Sequence, residues 1–210
     1  FLNLLGIMHC HLIGLSMGGM IAIKLASIEP SLIDSLVLAD TSARVGLKTI
    51  SGPGGERVVR MFELSAKIAE ERGRAPLAEE SVKLIFSNEF LQKKPDVVEE
   101  ARRRIAESPS LGYARAVREI FLTDESLYDC LDKISVPTLI IVGEKDILTP
   151  VSEAKRLQEG ISGSVLKVIP GAGHASNIEE PEVFNSLVMG FLASVDAKKY
   201  EPPKVAKQVV

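Results

Sequence analysis

The sequence predicts an α/β fold of parallel strands interrupted by a helical insertion. Three observations predict it. Short apolar runs rich in Val, Ile and Leu recur at His9 to Leu15, Ser35 to Asp40, Thr138 to Gly143 and Val165 to Ile169. Helical stretches bounded by proline separate the first pair and the last pair. Between the two pairs lies a strand-poor, charged segment from about Arg44 to Ile134, far longer than a loop of a compact domain.

The four runs, the first ending at Leu15, show continuity rather than polar alternation, as expected of strands covered on both faces. Met17 to Glu29 then reads as a helix stopped by Pro30. The second run returns as a strand, so a right-handed crossover is expected. The middle segment reads as helices broken at Gly52-Pro53-Gly54-Gly55, Arg74-Ala75-Pro76, Lys94-Pro95 and Ser108-Pro109, and is expected to form a separate helical subdomain. After the third run, Thr149-Pro150 opens a helix to Gly160 with proline at its first position. After the fourth, Pro181 opens a helix whose Val183, Phe184, Leu187, Val188, Phe191 and Leu192 have helical apolar spacing. The expected division is 1–43 with 135–197 as the core, 44–134 as the helical insertion, and 198–210, with Pro202-Pro203, as a tail.

Composition narrows the function classes. A chain of 210 residues that is 46% hydrophobic and 25% charged supports one sizeable core and a small subdomain. Its net charge of −3 is dispersed, with no basic stripe for nucleic acid. Cys10 and Cys130 form no CxxC pair, which argues against a zinc site or disulfide framework and makes a reducing cytoplasm the expected compartment. No apolar run is long enough to span a bilayer, and the start at Phe1 lacks the features of a secretory signal.

The chemistry concentrates at strand ends. Gly14-Leu15-Ser16-Met17-Gly18-Gly19 sits where a strand must turn abruptly into a helix. Such a turn strains the serine, exposes its hydroxyl, and calls for glycine on either side, where a Cβ would strike the neighbouring strand or helix. A Gly-rich phosphate cradle is the bland alternative, but no Walker-type lysine follows. A serine hydroxyl needs a base, and the base needs an orienting group. Asp146 follows the third strand and His174 the fourth, in the order Ser, acid, His and at the strand ends where reactive groups collect. Taken singly, Asp146 also fits a turn or helix N-cap residue and His174 a surface-loop histidine, while Glu144 is a competing acid. His9 and His11 share a strand face as an H-x-H pair without an evident third metal ligand, and Cys10 reads as a small buried hydrophobe. The Glu99–Arg104 charge run reads as a solvated helix face.

Gly14-Leu15-Ser16-Met17-Gly18-Gly19-Met20, Val136-Pro137-Thr138 leading to Gly143, Asp146 before Pro150, and Gly173-His174 with Glu179 and Pro181 together resemble the α/β-hydrolase superfamily. The nearest resemblance is to its capped carboxylesterases and 3-oxoadipate enol-lactonase-like members. It implies an α/β-hydrolase fold, partial because it runs from the nucleophile strand onward, with residues 44–134 as a helical cap. It further implies Ser16 as nucleophile, His174 as general base and then acid, Asp146 as the group holding the imidazole, and the Met17 N–H as an oxyanion donor. The implied reaction is ester cleavage through an acyl-enzyme, on a small-molecule ester or lactone, with no cofactor or metal. Ser16 argues against the dehalogenase and epoxide hydrolase branches, which place aspartate there. Enol-lactonases and C–C bond hydrolases keep serine and remain alternatives, as does a non-catalytic ligand-binding or inactive role. Substrate-binding residues are not assigned; Phe62, Phe86, Phe90 and Phe121 fit an apolar lining or, more simply, the insertion's own core. Full members of the superfamily carry several strands before the nucleophile strand, including the loop with a second oxyanion donor. A preceding segment, a companion chain or a homo-oligomeric partner is expected to supply it.

Overall fold

A computed structural model of the chain describes residues 1–47 and 52–200; the expected tail beyond Tyr200 lies outside the described residues. The chain divides into two compact units, 1–43 with 127–210 and 44–126.

In the first unit, strands β1 (Cys10–Leu15), β2 (Ile33–Ala39), β3 (Thr138–Gly143) and β4 (Val165–Ile169) form one sheet in the order β1-β2-β3-β4. Every neighbouring pair is parallel. The helices α1 (Met17–Ile28) and α7 (Val151–Gly160) connect β1 to β2 and β3 to β4. Both crossovers step the same way across the sheet, which places their helices on one face. Helix α9 (Pro181–Asp196) covers the other face, where Phe184, Val188 and Phe191 pack with Val37, Ala39, Leu139, Ile141 and Ile169. The alternate residues Leu36, Leu38 and Ile140 are equally buried and point the opposite way by strand periodicity. Burial on both faces explains why β2 and β3 read as unbroken apolar runs.

Register positions the strand ends. Leu15 pairs with Ala39 and Ala39 with Ile141, so the chain leaves β1 and β2 side by side, and β3 two residues further on. Ser16 N–H still donates to Ala39 O at 3.0 Å and Asp40 N–H to Ile141 O at 2.9 Å, extending the ladder past the strands. Gly143 pairs with Ile169 at the far edge.

Several expectations are adjusted. The first strand begins at Cys10, with an irregular register between Cys10 and His11, so His9 lies outside it. Cys10 is only partly buried. Pro150 precedes α7 as its N-cap rather than occupying its first turn. The stretch Tyr128–Lys133 is a 3-10 turn of the first unit, where the Leu131 side chain fills the space a Cβ at Gly160 would need.

The second unit is helical: α2 (Gly52–Arg72), α3 (Ala78–Ile85), α4 (Asn88–Lys93), α5 (Pro95–Glu107) and α6 (Ser110–Ala116), followed by a π-helical turn at Val117–Phe121. The predicted break at Gly52-Pro53-Gly54-Gly55 is instead the first turn of α2. Proline is tolerated there because first-turn N–H groups have no intrahelical acceptor. Ala66 and Ala69 of α2 meet Ala114 and Val117, with Phe62, Tyr113 and Phe121 around them. Phe62 pairs with Phe121 at 6.0 Å and Phe86 with Phe90 at 5.0 Å, so these rings pack within the unit's own core. Glu100 pairs with Arg103 and Arg104 on an exposed face. An antiparallel bridge between Arg44 and Ser126 draws the ends of the unit together. No helix among the described residues is long and apolar enough to cross a membrane.

Candidate active site

At the end of β1 the backbone must reverse direction within one residue. Ser16 takes the strain, with φ 51° and ψ −120°, a left-handed region that non-glycine residues rarely enter. Its carbonyl is fixed by Gly19 N–H at 2.9 Å, Met20 N–H at 3.2 Å and the Thr41 hydroxyl at 2.6 Å. The glycines around it are not equivalent. A Cβ on Gly14 would lie 2.4 Å from Gly18 O, and one on Gly19 would lie 2.6 Å from the Thr41 side chain. A Cβ on Gly18 would meet nothing within 4 Å. Steric need therefore falls on Gly14 and Gly19, which corrects the expectation that both glycines of the pentapeptide are sterically required. Met17 is the first residue of α1, so its N–H has no intrahelical acceptor and stands at the positive end of the helix dipole.

The structure brings Ser16, Asp146 and His174 together. His174 Nε2 lies 2.9 Å from Ser16 Oγ, and His174 Nδ1 lies 2.9 Å from Asp146 Oδ2. Asp146 and His174 are both buried. An acceptor-only carboxylate at Nδ1 requires the proton on that nitrogen, which leaves the Nε2 lone pair directed at the serine hydroxyl. The imidazole can then accept the serine proton while the carboxylate stabilises the resulting cation.

Asp146 is held by more than the histidine. Leu148 N–H and Thr149 N–H each donate to its Oδ1 at 2.8 Å, and the Thr149 hydroxyl donates to Oδ2 at 2.7 Å. Burial pushes this carboxyl up, but the hydrogen bond and charge of His174, with the Thr149 contacts, outweigh it and hold the pKa below the usual aspartate value. Asp146 is thus at once the turn residue and the partner of His174, two roles the sequence offered as alternatives. Glu144, the competing acid, points elsewhere and accepts from Gly171 N–H at 2.9 Å.

Sequence reasoning missed Thr149, Asp40, Ser176 and the role of Glu179. Asp40 follows β2, is fully buried, and has a left-handed φ of 42°. It accepts hydrogen bonds from Gly143 N–H at 2.9 Å, from the Ser176 hydroxyl at 2.6 Å and from Ser176 N–H at 3.2 Å. Burial pushes its carboxyl up to about 6, against the Ser176 and Gly143 hydrogen bonds, and the nearby Asp146 charge adds to the rise. A signal was present: Asp40 is an acidic residue closing an apolar strand, at the sheet end where functional groups gather. Thr149, three residues after an acid and just before a helix, has a capping-type spacing.

His9, before β1, and His11, within it, face separate partners. His9 Nδ1 pairs with Asp34 at 2.6 Å, while His11 contacts the Ser35 hydroxyl at 2.8 Å and Asp196 at 3.1 Å. A cleft of about 500 Å³ near Leu139, Val165 and Gly190 adjoins the starts of β3 and β4, at the opposite end of the strands from Ser16.

Comparison with known proteins agrees with the fold. A family model described as the alpha/beta hydrolase fold matches residues 1–181. The chain is 31% identical to 3-oxoadipate enol-lactonase 1 of Acinetobacter baylyi, over 92% of this chain and 68% of that protein. It is 30% identical to 3-oxoadipate enol-lactonase 2 of the same organism, over 83% of this chain and 60% of that protein. It superposes on a thermophilic esterase from Thermogutta terrifontis with a TM-score of 0.81 and 29% identity, covering 92% of this chain and 68% of the other.

Proposed function

Because this chain belongs to the alpha/beta hydrolase fold family, we propose that it is a serine hydrolase that cleaves carboxylic esters through an acyl-enzyme. The observation that carries the reading is the unbroken relay from Ser16 Oγ to His174 Nε2 and from His174 Nδ1 to Asp146, each link 2.9 Å.

In this mechanism Ser16 Oγ attacks the ester carbonyl carbon as its proton passes to His174 Nε2. Asp146 stabilises the imidazolium, and the Met17 N–H donates to the developing oxyanion. The tetrahedral intermediate collapses, the C–O bond to the alcohol breaks, and the leaving alkoxide takes the proton from Nε2. Water, deprotonated by His174, then attacks the acyl-enzyme and releases the acid with Ser16 restored. The elbow supports this sequence because strain at Ser16 lifts the hydroxyl clear of the strand.

A second reading, lactone opening, is favoured by the enol-lactonase relatives. It uses the same residues, with the leaving alkoxide staying tethered to the acyl group. The test is covalent labelling by a fluorophosphonate, with the site read by peptide mass, alongside turnover of p-nitrophenyl butyrate and of an enol-lactone. Labelling at Ser16, with both labelling and turnover abolished in Ser16→Ala and His174→Asn, is expected. Turnover surviving in Ser16→Ala would overturn the proposal, and absence of labelling would leave a binding role for the fold. The ratio of kcat/KM on the two substrates separates esterase from lactonase.

A further inference from the structure

His174 does not sit on a strand or a long helix. It rides on the loop Gly171–Ala175 between β4 and the short helix α8 (Ser176–Glu179), and must be held by whatever this loop binds. Three carboxylates grip the segment. Glu144 accepts from Gly171 N–H at 2.9 Å, Glu179 accepts from Gly173 N–H at 2.9 Å, and Asp40 accepts from both the N–H and the hydroxyl of Ser176. Glu144 is exposed, and Glu179 belongs to the short helix just past the loop. Asp40 alone among the three is fully buried and reaches the segment from a strand that neighbours β1 and β3. Its second oxygen is fixed at the same time by Gly143 N–H, at the end of β3.

The backbone at Asp40 is left-handed, like that of Ser16. Both residues immediately follow adjacent strands, and each holds a polar side chain at a strand end on a positive-φ backbone that non-glycine residues rarely adopt. We infer that Asp40 is a positioning residue for His174, its carboxylate tying the end of β3 to Ser176 so that the imidazole stays within reach of Ser16 Oγ. The inference rests on the proposed roles of Ser16, His174 and Asp146.

The device depends on protonation. Ionised, Asp40 accepts from three donors with both oxygens. Protonated, one oxygen must itself donate, and the Ser176 hydroxyl has to turn round to receive that proton. The titratable groups facing Asp40 are Asp146, from the segment after β3, and His174, from the segment after β4. Burial and the Asp146 charge favour the protonated form, and they bring the change of state to about 6. The grip on the histidine loop therefore tightens as pH rises through that value.

The test compares the wild-type protein with Asp40→Asn and Ser176→Ala. Two readouts are taken between pH 5 and 9: the rate of Ser16 phosphonylation by a fluorophosphonate, and the downfield Nδ1–H resonance of His174 by NMR. A misplacement of the base by a fraction of an ångström to 1 Å predicts labelling slowed by ~10–100-fold at pH 8 in either variant. The His174 resonance should broaden or shift in both, and the double variant should be no worse than the poorer single one. If Asp40→Asn does not fold, Ser176→Ala carries both readouts. Labelling within twofold of wild type with an unchanged His174 resonance overturns the inference. Failure of wild type to label at all would instead sink the nucleophile reading, while the His174 resonance still reports whether Asp40 holds the loop.

Discussion

Alanine at Gly14 and alanine at Gly18 make the same chemical change at the two glycines of one pentapeptide, yet they meet different surroundings. At Gly14 the new methyl would stand 2.4 Å from Gly18 O, 2.6 Å from Gly18 C and 2.7 Å from Gly19 Cα. All three are backbone atoms in the first turn of α1, so no side-chain rotation relieves the overlap. The strand and helix must separate by roughly 1 Å to restore ordinary contact, and overpacking of this kind costs about 1–3 kcal/mol, sometimes more. In a chain of this size that lowers the apparent melting temperature by about 2–12 °C. Because the displaced turn carries Ser16, phosphonylation should fall by ~100-fold as well. At Gly18 the methyl meets nothing within 4 Å, and a helical glycine replaced by alanine gains up to about 1 kcal/mol. Gly18→Ala should therefore melt at or above wild type and label at a near-normal rate. Thermal unfolding with labelling kinetics on both variants decides it. Equal damage from the two substitutions would refute the assignment of steric need to Gly14.

Thr149→Val keeps the shape but removes the hydroxyl that donates to Asp146, so the carboxylate loses a charge-assisted hydrogen bond worth about 1.5–3 kcal/mol; a lower kcat with little change in KM is expected on p-nitrophenyl butyrate. Asp40 and Asp146 should bend the stability curve in opposite directions. Asp146 is depressed, so its contribution is present above the ordinary aspartate range and lost as pH falls through its lower folded value, a loss that urea titrations below pH 4 should show diminished in Asp146→Asn. Asp40 is raised from 3.8 to about 6, so the folded state holds its proton more tightly, and stability is lost as pH rises between those values. At about 1.4 kcal/mol per tenfold change this amounts to about 3 kcal/mol, and the stability of wild type relative to Asp40→Asn should fall by that order between pH 3.5 and 7. A wild-type stability that rises relative to the variant over this range would contradict the burial argument. The raised carboxyl is compatible with the grip on Ser176, because ionisation costs overall stability while ordering the one loop that holds His174.

Much of this was legible in the residues. Unbroken apolar runs marked β2 and β3 because a parallel strand with helices on both faces has no polar side to show. Prolines marked where α5 and α9 begin, since a first-turn residue needs no N–H donor. Ser16, Asp146 and His174 could be named because each follows a strand in a fixed order, and local turn chemistry leaves a mark in sequence. The break expected at Gly52-Pro53-Gly54-Gly55 failed for a related reason: glycine and proline do not distinguish a loop from the first turn of a helix.

What the sequence determined by itself is the set of local choices: which segments extend, which coil, and which residues stand at the strand ends. What only the tertiary structure decided is which of those residues meet. Asp40 lies 103 residues from Gly143 and 136 from Ser176 along the chain, and no local pattern links them. Their contact follows from the register of β1, β2 and β3, in which Leu15, Ala39 and Ile141 form one row. The close approach of the first turn of α1 to β1 decided between the two glycines of the pentapeptide, because a Cβ on Gly14 would meet Gly18 and Gly19 while one on Gly18 would meet nothing within 4 Å.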